Sequence, residues 1–73
     1  MKRIEIDPNK LGGKPVIKGT RIPVYLILEM LASGMDVKEI LKEYPELTEE
    51  DIREAIRYAS QVLSKEEVYE IST

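Results

Sequence analysis

The chain has 73 residues and a formal net charge of −3, and it contains neither cysteine nor histidine. These counts exclude a disulfide framework and a cysteine-based metal site, and they remove the commonest metal ligand and the commonest general base. We therefore predict a single domain, residues 1–73, without enzymatic activity, bound cofactor or metal ion. A core this small also favours pairing with a second copy, so we predict a homodimer.

Charge is distributed unevenly along the chain. Residues 1–24 carry six basic and two acidic side chains, whereas residues 25–73 carry five basic and twelve acidic ones. An anionic partner would be attracted to the first part and repelled by the second. No apolar run approaches membrane-spanning length, and the basic start of the chain is not followed by the apolar region of a signal peptide. We expect a cytoplasmic protein with no membrane association.

An N-terminal arm, residues 3–22, carries strand and turn signals. Residues 3–7 alternate polar and apolar side chains, which is typical of a half-buried strand. Two stretches rich in β-branched residues, 16–17 and 20–22, lie on either side of Gly19. This pattern predicts a tight β-hairpin with Gly19 in the left-handed turn position. We expect the first strand to pair with the hairpin in a sheet of two or three strands.

The first helix is predicted at residues 24–33, directly after a proline. Apolar residues recur at the helical spacing and also extend around the other side of the helix. A helix this apolar must be covered on most faces, by its own chain or by a partner copy. The residues predicted to form a dimer or partner interface are Val24, Tyr25, Leu28 and Met30. Gly34 follows as the expected C-terminal cap.

The second helix is predicted at residues 37–44 and the third at residues 49–63. Asp36 with Glu39, and Thr48 with Asp51, have the spacing of N-terminal capping boxes. The inner face of the third helix is predicted to carry Ile52, Ala55, Ile56, Ala59, Val62 and Leu63. The tail, residues 64–73, fits either a further turn or a strand, with disorder expected at its end.

Three residues, 45–47, separate the second helix from Thr48, the predicted N-cap of the third, which is the order of a helix-turn-helix motif. An ordinary helical hairpin has the same order, so both interpretations stay open. The predicted fold class is mainly α: a three-helix, winged or homeodomain-like helix-turn-helix domain with a small N-terminal β-hairpin or short sheet.

Basic residues of the arm form the best candidate set for contacting nucleic-acid phosphates: Lys14, Lys18 and Arg21. Solubility and protection of a strand edge explain such residues equally well. On the third helix, Arg53 and Arg57 are the candidates for reading a DNA groove. The alternative interpretation of these two arginines is that they belong to an ordinary solvated helix face, in which Arg53 pairs with Glu49 at the i, i+4 spacing. The first turn of that helix is acidic, which opposes DNA binding.

Two stretches, GGKPVIKGTRIPV and ILEMLASGMDVKEILKEYPELTEEDIREAIRYA, closely resemble domain-of-unknown-function family 433, and the likeness covers residues 4–59. The resemblance implies a helix-turn-helix, homeodomain-like fold. Some members of that family are antitoxins encoded beside PIN-domain ribonuclease toxins. The resemblance thus predicts a DNA-binding antitoxin or regulator of a toxin–antitoxin pair, with a PIN-domain ribonuclease as a partner. The alternative is a protein-interaction module of the same fold that does not bind DNA.

Overall fold

The computed structural model describes residues 2–65. Its elements, in chain order, are strand β1 (Ile4–Glu5), a single 3-10 turn (Leu11–Gly13), strand β2 (Val16–Ile17), and helices α1 (Val24–Ala32), α2 (Val37–Glu43) and α3 (Glu49–Ser64). This arrangement confirms the predicted architecture of three helices with a short N-terminal sheet. Within the described part of the chain, every helix is too short or too polar to cross a bilayer.

The sheet has two strands, as the predicted two or three allow, but its first strand is shorter than the alternating stretch 3–7. Strands β1 and β2 are antiparallel, with Ile4 opposite Ile17 and Glu5 opposite Val16. The predicted returning stretch, 20–22, makes a backbone bond to β2, in which the Ile17 N–H donates to the Ile22 carbonyl at 2.9 Å. Directly after it, Val16 makes an isolated bridge with Pro23. Proline has no N–H to continue a ladder, so the pairing ends where α1 begins.

The turn after β2 forms at the predicted glycine. The Thr20 N–H donates to the Ile17 carbonyl at 3.0 Å, and Gly19 has a φ of 82°, a left-handed conformation that suits glycine. The Thr20 hydroxyl oxygen accepts from the Ile22 N–H at 3.0 Å. This local bond takes a donor away from the ladder, which explains why the returning limb is not a regular strand.

Helix α1 ends in a Schellman motif centred on Gly34. The Gly34 N–H donates to the Leu31 carbonyl at 3.0 Å, and the Met35 N–H donates to the Met30 carbonyl at 3.1 Å. Gly34 has a φ of 101°, so the predicted C-terminal glycine cap is confirmed.

Both predicted capping boxes are confirmed. At the start of α2, the Asp36 carboxylate accepts from the Glu39 N–H at 2.9 Å, and Glu39 accepts from the Asp36 N–H at 2.8 Å. At the start of α3, the Thr48 hydroxyl accepts from the Asp51 N–H at 3.1 Å, and Asp51 accepts from the Thr48 N–H at 2.9 Å. These bonds satisfy the donors that the first turn of a helix leaves unpaired.

One isoleucine from each part of the fold meets at the centre of the core. Ile17 of β2, Ile27 of α1, Ile40 of α2 and Ile52 of α3 are each no more than 2% exposed. The other buried residues of this cluster are Ile22, Val24, Met30, Leu47 and Ala55. Burial of these side chains is the main stabilising contribution that holds the sheet and the three helices together.

Helix α3 extends to Ser64, and the Lys65 N–H donates to the Val62 carbonyl at 3.2 Å. The tail, residues 64–73, begins here; its sequence fitted either a further turn or a strand. Its residues 66–73 lie outside the described part of the chain.

Candidate functional site

The three basic residues of the arm occupy exposed positions. Lys18 and Arg21 lie on the turn between β2 and α1. Lys14 precedes β2, and its Nζ lies 5.8 Å from the centroid of the Tyr25 ring, which is within the range of a cation–π contact. Within residues 2–65, none of the three basic side chains forms an ion pair. No carboxylate of the described residues therefore offsets their charges.

Both arginines of α3 are paired with acidic residues of the same helix. Arg53 contacts Glu50 and Arg57 contacts Glu54, each with a nitrogen–oxygen distance of 3.0 Å. The predicted pair of Arg53 with Glu49 is wrong, because the guanidinium reaches the carboxylate three residues before it rather than four. Each arginine that was a candidate for reading DNA thus has a carboxylate beside it, which offsets its charge.

Asp51 in the first turn of α3 is buried and tied to the N-terminal arm. The residue is 6% exposed, and its Oδ1 accepts from the Arg3 guanidinium at 3.0 Å. Its Oδ2 accepts from the Thr48 N–H, so both carboxylate oxygens have partners. Arg3 lies 48 residues away along the chain, and no sequence spacing indicated this contact. Asp51 is a structural residue, whereas Glu49 and Glu50 remain exposed.

The four predicted interface residues separate into two pairs. Val24 and Met30 are 4% and 9% exposed and belong to the core of the domain. Tyr25 is 47% exposed, and Leu28 is half-buried. Only Tyr25 and Leu28 can therefore present much surface to another molecule.

Helix α3 exposes apolar residues that the periodicity had assigned to its inner face. Ile52 and Ala55 are buried, but Ile56, Val62 and Leu63 are 47%, 42% and 63% exposed. Helix α3 has 16 residues and α1 has nine, so their lengths are about 24 Å and 13.5 Å. Helix α3 is therefore about 10 Å longer than α1.

A groove of about 430 Å³ lies where the exposed surfaces of α1 and α3 meet. We refer to it as the α1–α3 groove; its lining residues are Lys14, Pro15, Val24, Tyr25, Leu28, Tyr58, Ala59, Val62 and Leu63. Among residues 2–65, the lining is apolar except for the two tyrosine side chains and one charged side chain, Lys14. Sequence reasoning found Tyr25 and Leu28 but missed the contribution of α3, because exposure there depends on how the helices pack.

No cluster of acidic side chains suited to a metal ion occurs in residues 2–65. The arrangement described above offers two surfaces: an apolar groove with one ammonium beside it, and an exposed turn with two cationic side chains. Both surfaces suit binding.

Comparison with known proteins identifies relatives of this chain. A family model described as "Protein of unknown function (DUF433)" matches residues 4–59. An uncharacterised protein of Sinorhizobium fredii, y4eO, is 46% identical over 53 residues, which cover 73% of this chain and 24% of that protein. The crystal structure of a DUF433 member protein from Anabaena variabilis has a TM-score of 0.80 and 38% identity, and it covers 86% of this chain. The resemblance predicted from the sequence is confirmed over the same residues.

Both relatives are longer than the part they share with this chain. The chain spans about a quarter of the length of y4eO and 62% of the Anabaena chain. These relatives therefore indicate a shared domain, and the Anabaena structure has the same fold.

Proposed function

This chain belongs to the family described as a protein of unknown function, DUF433, and from its surface we propose that it is a non-catalytic domain that binds a partner protein. The observation that carries this proposal is the α1–α3 groove. Its exposed residues include Tyr25, Val62 and Leu63, which lie together rather than singly. Contiguous apolar surface on a small domain marks an interaction site, and a tyrosine beside aliphatic residues is a common anchor.

The charge of α3 also favours a protein partner. Residues 44–48 connect α2 to α3, so the two helices follow one another as in a helix-turn-helix motif, whose second helix contacts base edges near its N-terminus. Glu49 and Glu50 are exposed at that end and would repel phosphates. Arg53 and Arg57 are paired with carboxylates. We infer that α3 of this chain is not a DNA-reading helix.

The partner class follows from the family resemblance. Some members are antitoxins encoded beside PIN-domain ribonuclease toxins, and an antitoxin binds its toxin through an exposed surface. We propose that this chain is such a protein, acting in the cytoplasm as the antitoxin half of a pair, and that the α1–α3 groove receives part of the ribonuclease.

Co-expression tests the protein partner directly. The chain would be produced with the tagged products of the genes adjacent to its own, one at a time, and the Kd of any complex measured by calorimetry. Leu63→Glu is expected to weaken the complex roughly tenfold or more, because it introduces a charge into the groove. Ile56→Glu is the matched control, since Ile56 is a similarly exposed residue of α3 outside the groove. Equal effects of the two variants would contradict the proposal.

A second candidate function is DNA contact through the arm. It is favoured by the exposed charges of Lys18 and Arg21, which lack ion-pair partners within residues 2–65, and by Lys14 on the same arm. A homodimer formed through Tyr25 and Leu28 would double these contacts, because paired half-sites strengthen weak binding.

Fluorescence polarisation tests this second function with a labelled duplex from upstream of the chain's own gene and a scrambled duplex. Three phosphate contacts predict a slope of log K against log salt of about −2.7. Replacing Lys14, Lys18 and Arg21 together by alanine should abolish the binding. Replacing Lys38 and Lys42 of α2 is the control. Binding that is unmeasurable at low salt, or unchanged in the triple variant, would exclude a DNA contact through the arm.

A further inference from the structure

We propose that the α1–α3 groove receives an amphipathic helix of the partner protein, and that this helix carries a carboxylate that binds the ammonium of Lys14. This inference rests on the proposed function, because it uses the groove as the partner's binding surface. It adds the conformation and the charge of the segment that the groove recognises.

The walls of the groove favour a helix over an extended strand. One wall is formed by side chains between Tyr58 and Leu63, whose backbone lies inside α3. On the other side, the Pro15 carbonyl accepts from the Val24 N–H at 3.0 Å, and proline has no N–H of its own. An added strand depends on free backbone donors and acceptors at an edge, whereas a helix satisfies its own backbone and presents only side chains.

The spacing of the lining side chains matches the surface of a helix. Tyr25 and Leu28 lie three residues apart on α1, and Tyr58 and Val62 lie four residues apart on α3. Each wall therefore presents two side chains about one turn apart. A helix between these walls places apolar side chains at positions i, i+3 or i+4, and i+7 against them. The groove thus accepts about two turns of a partner helix.

Lys14 determines the charge of the preferred partner. Among residues 2–65, it is the one charged side chain of the lining. Its Nζ lies 5.8 Å from the centroid of the Tyr25 ring, and it forms no ion pair with a described residue. The ring excludes water from one side of the ammonium, and the attraction between opposite charges increases as water is excluded. A carboxylate placed beside Tyr25 is therefore the complementary group.

A second copy of the chain fits the groove less well. A two-fold symmetric dimer pairs the same surface on both copies. The described lining contains Lys14 and no carboxylate, so such a dimer would bring two ammonium groups together without an acidic group of the groove to offset them. An acidic helix from another protein has the charge that the groove lacks.

Peptide selection tests the inference without knowledge of the partner. The probe is a phage-displayed library randomised over about 14 residues, a length at which an isolated helix begins to form. Selection is carried out on the full chain and on its Lys14→Glu, Leu63→Glu and Lys18→Glu variants, with the folding of each confirmed by circular dichroism. Lys18→Glu is the matched control, because Lys18 is an exposed lysine of the same arm outside the groove.

We expect the unmodified chain to select peptides with apolar residues at the helical spacing and an aspartate or glutamate within one turn of them. The Lys14→Glu chain should select lysine or arginine at that position instead, whereas the Lys18→Glu chain should keep the acidic preference. The Leu63→Glu chain should lose these peptides. An unchanged preference in the Lys14→Glu chain would overturn the inference, as would the alternating pattern of a strand or the absence of any peptide that depends on Leu63.

Calorimetry on one selected peptide measures the contribution of the charge. Lys14→Gln should weaken binding about two- to fivefold, as for a partly exposed ion pair, and the loss should be smaller in high salt. Replacing the acidic residue of the peptide by glutamine should then have no further effect on binding to the Lys14→Gln chain. Two independent losses would show that the carboxylate does not bind Lys14.

Co-expression with adjacent gene products separates failure of this inference from failure of the proposed function. A partner that Leu63→Glu weakens, but Lys14→Glu leaves unchanged, supports the proposed function and overturns the inference. Acid-dependent helical peptides, with no adjacent gene product that binds the groove, support the inference and refute the proposed function. A dimer of the free chain that Leu63→Glu dissociates, measured by sedimentation equilibrium, would assign the groove to a second copy and overturn the inference.

Discussion

Burial decides how much an ion pair contributes to stability, and two pairs in this protein allow a direct comparison. Arg3 with Asp51 and Arg53 with Glu50 both have a nitrogen–oxygen distance of 3.0 Å. The carboxylate side chain is 9% exposed in the first pair and 55% exposed in the second. The arginines are similar, at 45% and 53% exposed. The two pairs therefore differ mainly in the environment of the carboxylate.

The perturbation is a double-mutant cycle on each pair: Arg3→Met with Asp51→Asn, and Arg53→Met with Glu50→Gln. Methionine keeps an apolar stem, and the amides keep the shape of the carboxylates. Arg3→Met leaves a buried carboxylate with one remaining partner, the Thr48 N–H, so we expect a loss of about 1–2 kcal/mol in the free energy of unfolding. Because Arg3 is partly exposed, the expected loss in the free energy of unfolding lies at the low end of the range for interactions between charged groups.

The coupling energies should differ by a factor of two or more. We expect about 1–1.5 kcal/mol between Arg3 and Asp51, and about 0.3–0.5 kcal/mol between Arg53 and Glu50, as for an exposed pair on one helix. Urea unfolding followed by far-UV circular dichroism measures both, at low and at high salt. The exposed pair should weaken more in salt. Equal coupling in the two cycles would refute the argument that burial, rather than distance, sets the contribution.

Three further predictions concern the N-cap of α3, the glycine turn after α1 and the core. Each is measured by urea unfolding, and we expect the slope m to stay unchanged in each variant. Thr48→Ala removes the acceptor for the Asp51 N–H and should lower the free energy of unfolding by about 1 kcal/mol; no loss would mean that water replaces the cap. Gly34→Ala should lower it by about 1–2 kcal/mol through backbone strain alone, because an added Cβ there meets nothing within 4 Å. A change within error would show that the C-terminal turn rearranges. Ile27→Ala, at a fully buried position, should lower it by about 2–5 kcal/mol, enough to unfold much of a domain this small; a smaller loss would indicate that the core collapses around the gap.

Local features of this fold could be predicted from the sequence because they depend on atoms a few residues apart. The capping boxes at Asp36 and Thr48 and the glycine turns at Gly19 and Gly34 are hydrogen-bonding arrangements within four to six residues. Helical periodicity and these caps together indicated three helices, and the resulting architecture is observed. The family was likewise recognisable from motifs in the arm and in the stretch 27–59, which reaches into the third helix.

The surface of the domain depended on contacts that no local pattern specifies. Arg3 reaches Asp51 across 48 positions, and that contact makes an apparent DNA-repelling carboxylate a buried structural one. Arg53 selects Glu50 over Glu49 through side-chain geometry on α3. Even the predicted interface was divided by packing, which buried Val24 and left Tyr25 exposed.

The α1–α3 groove shows this division between sequence and structure within one feature. Sequence alone determined that α1 is too apolar to stand in water and that α3 carries an apolar stripe. Only the tertiary structure decided that Val62 and Leu63 stay exposed and lie beside Tyr25 in the groove. Periodicity specifies the direction in which a side chain points. Whether another element covers it depends on the lengths and crossing of helices that are distant along the chain.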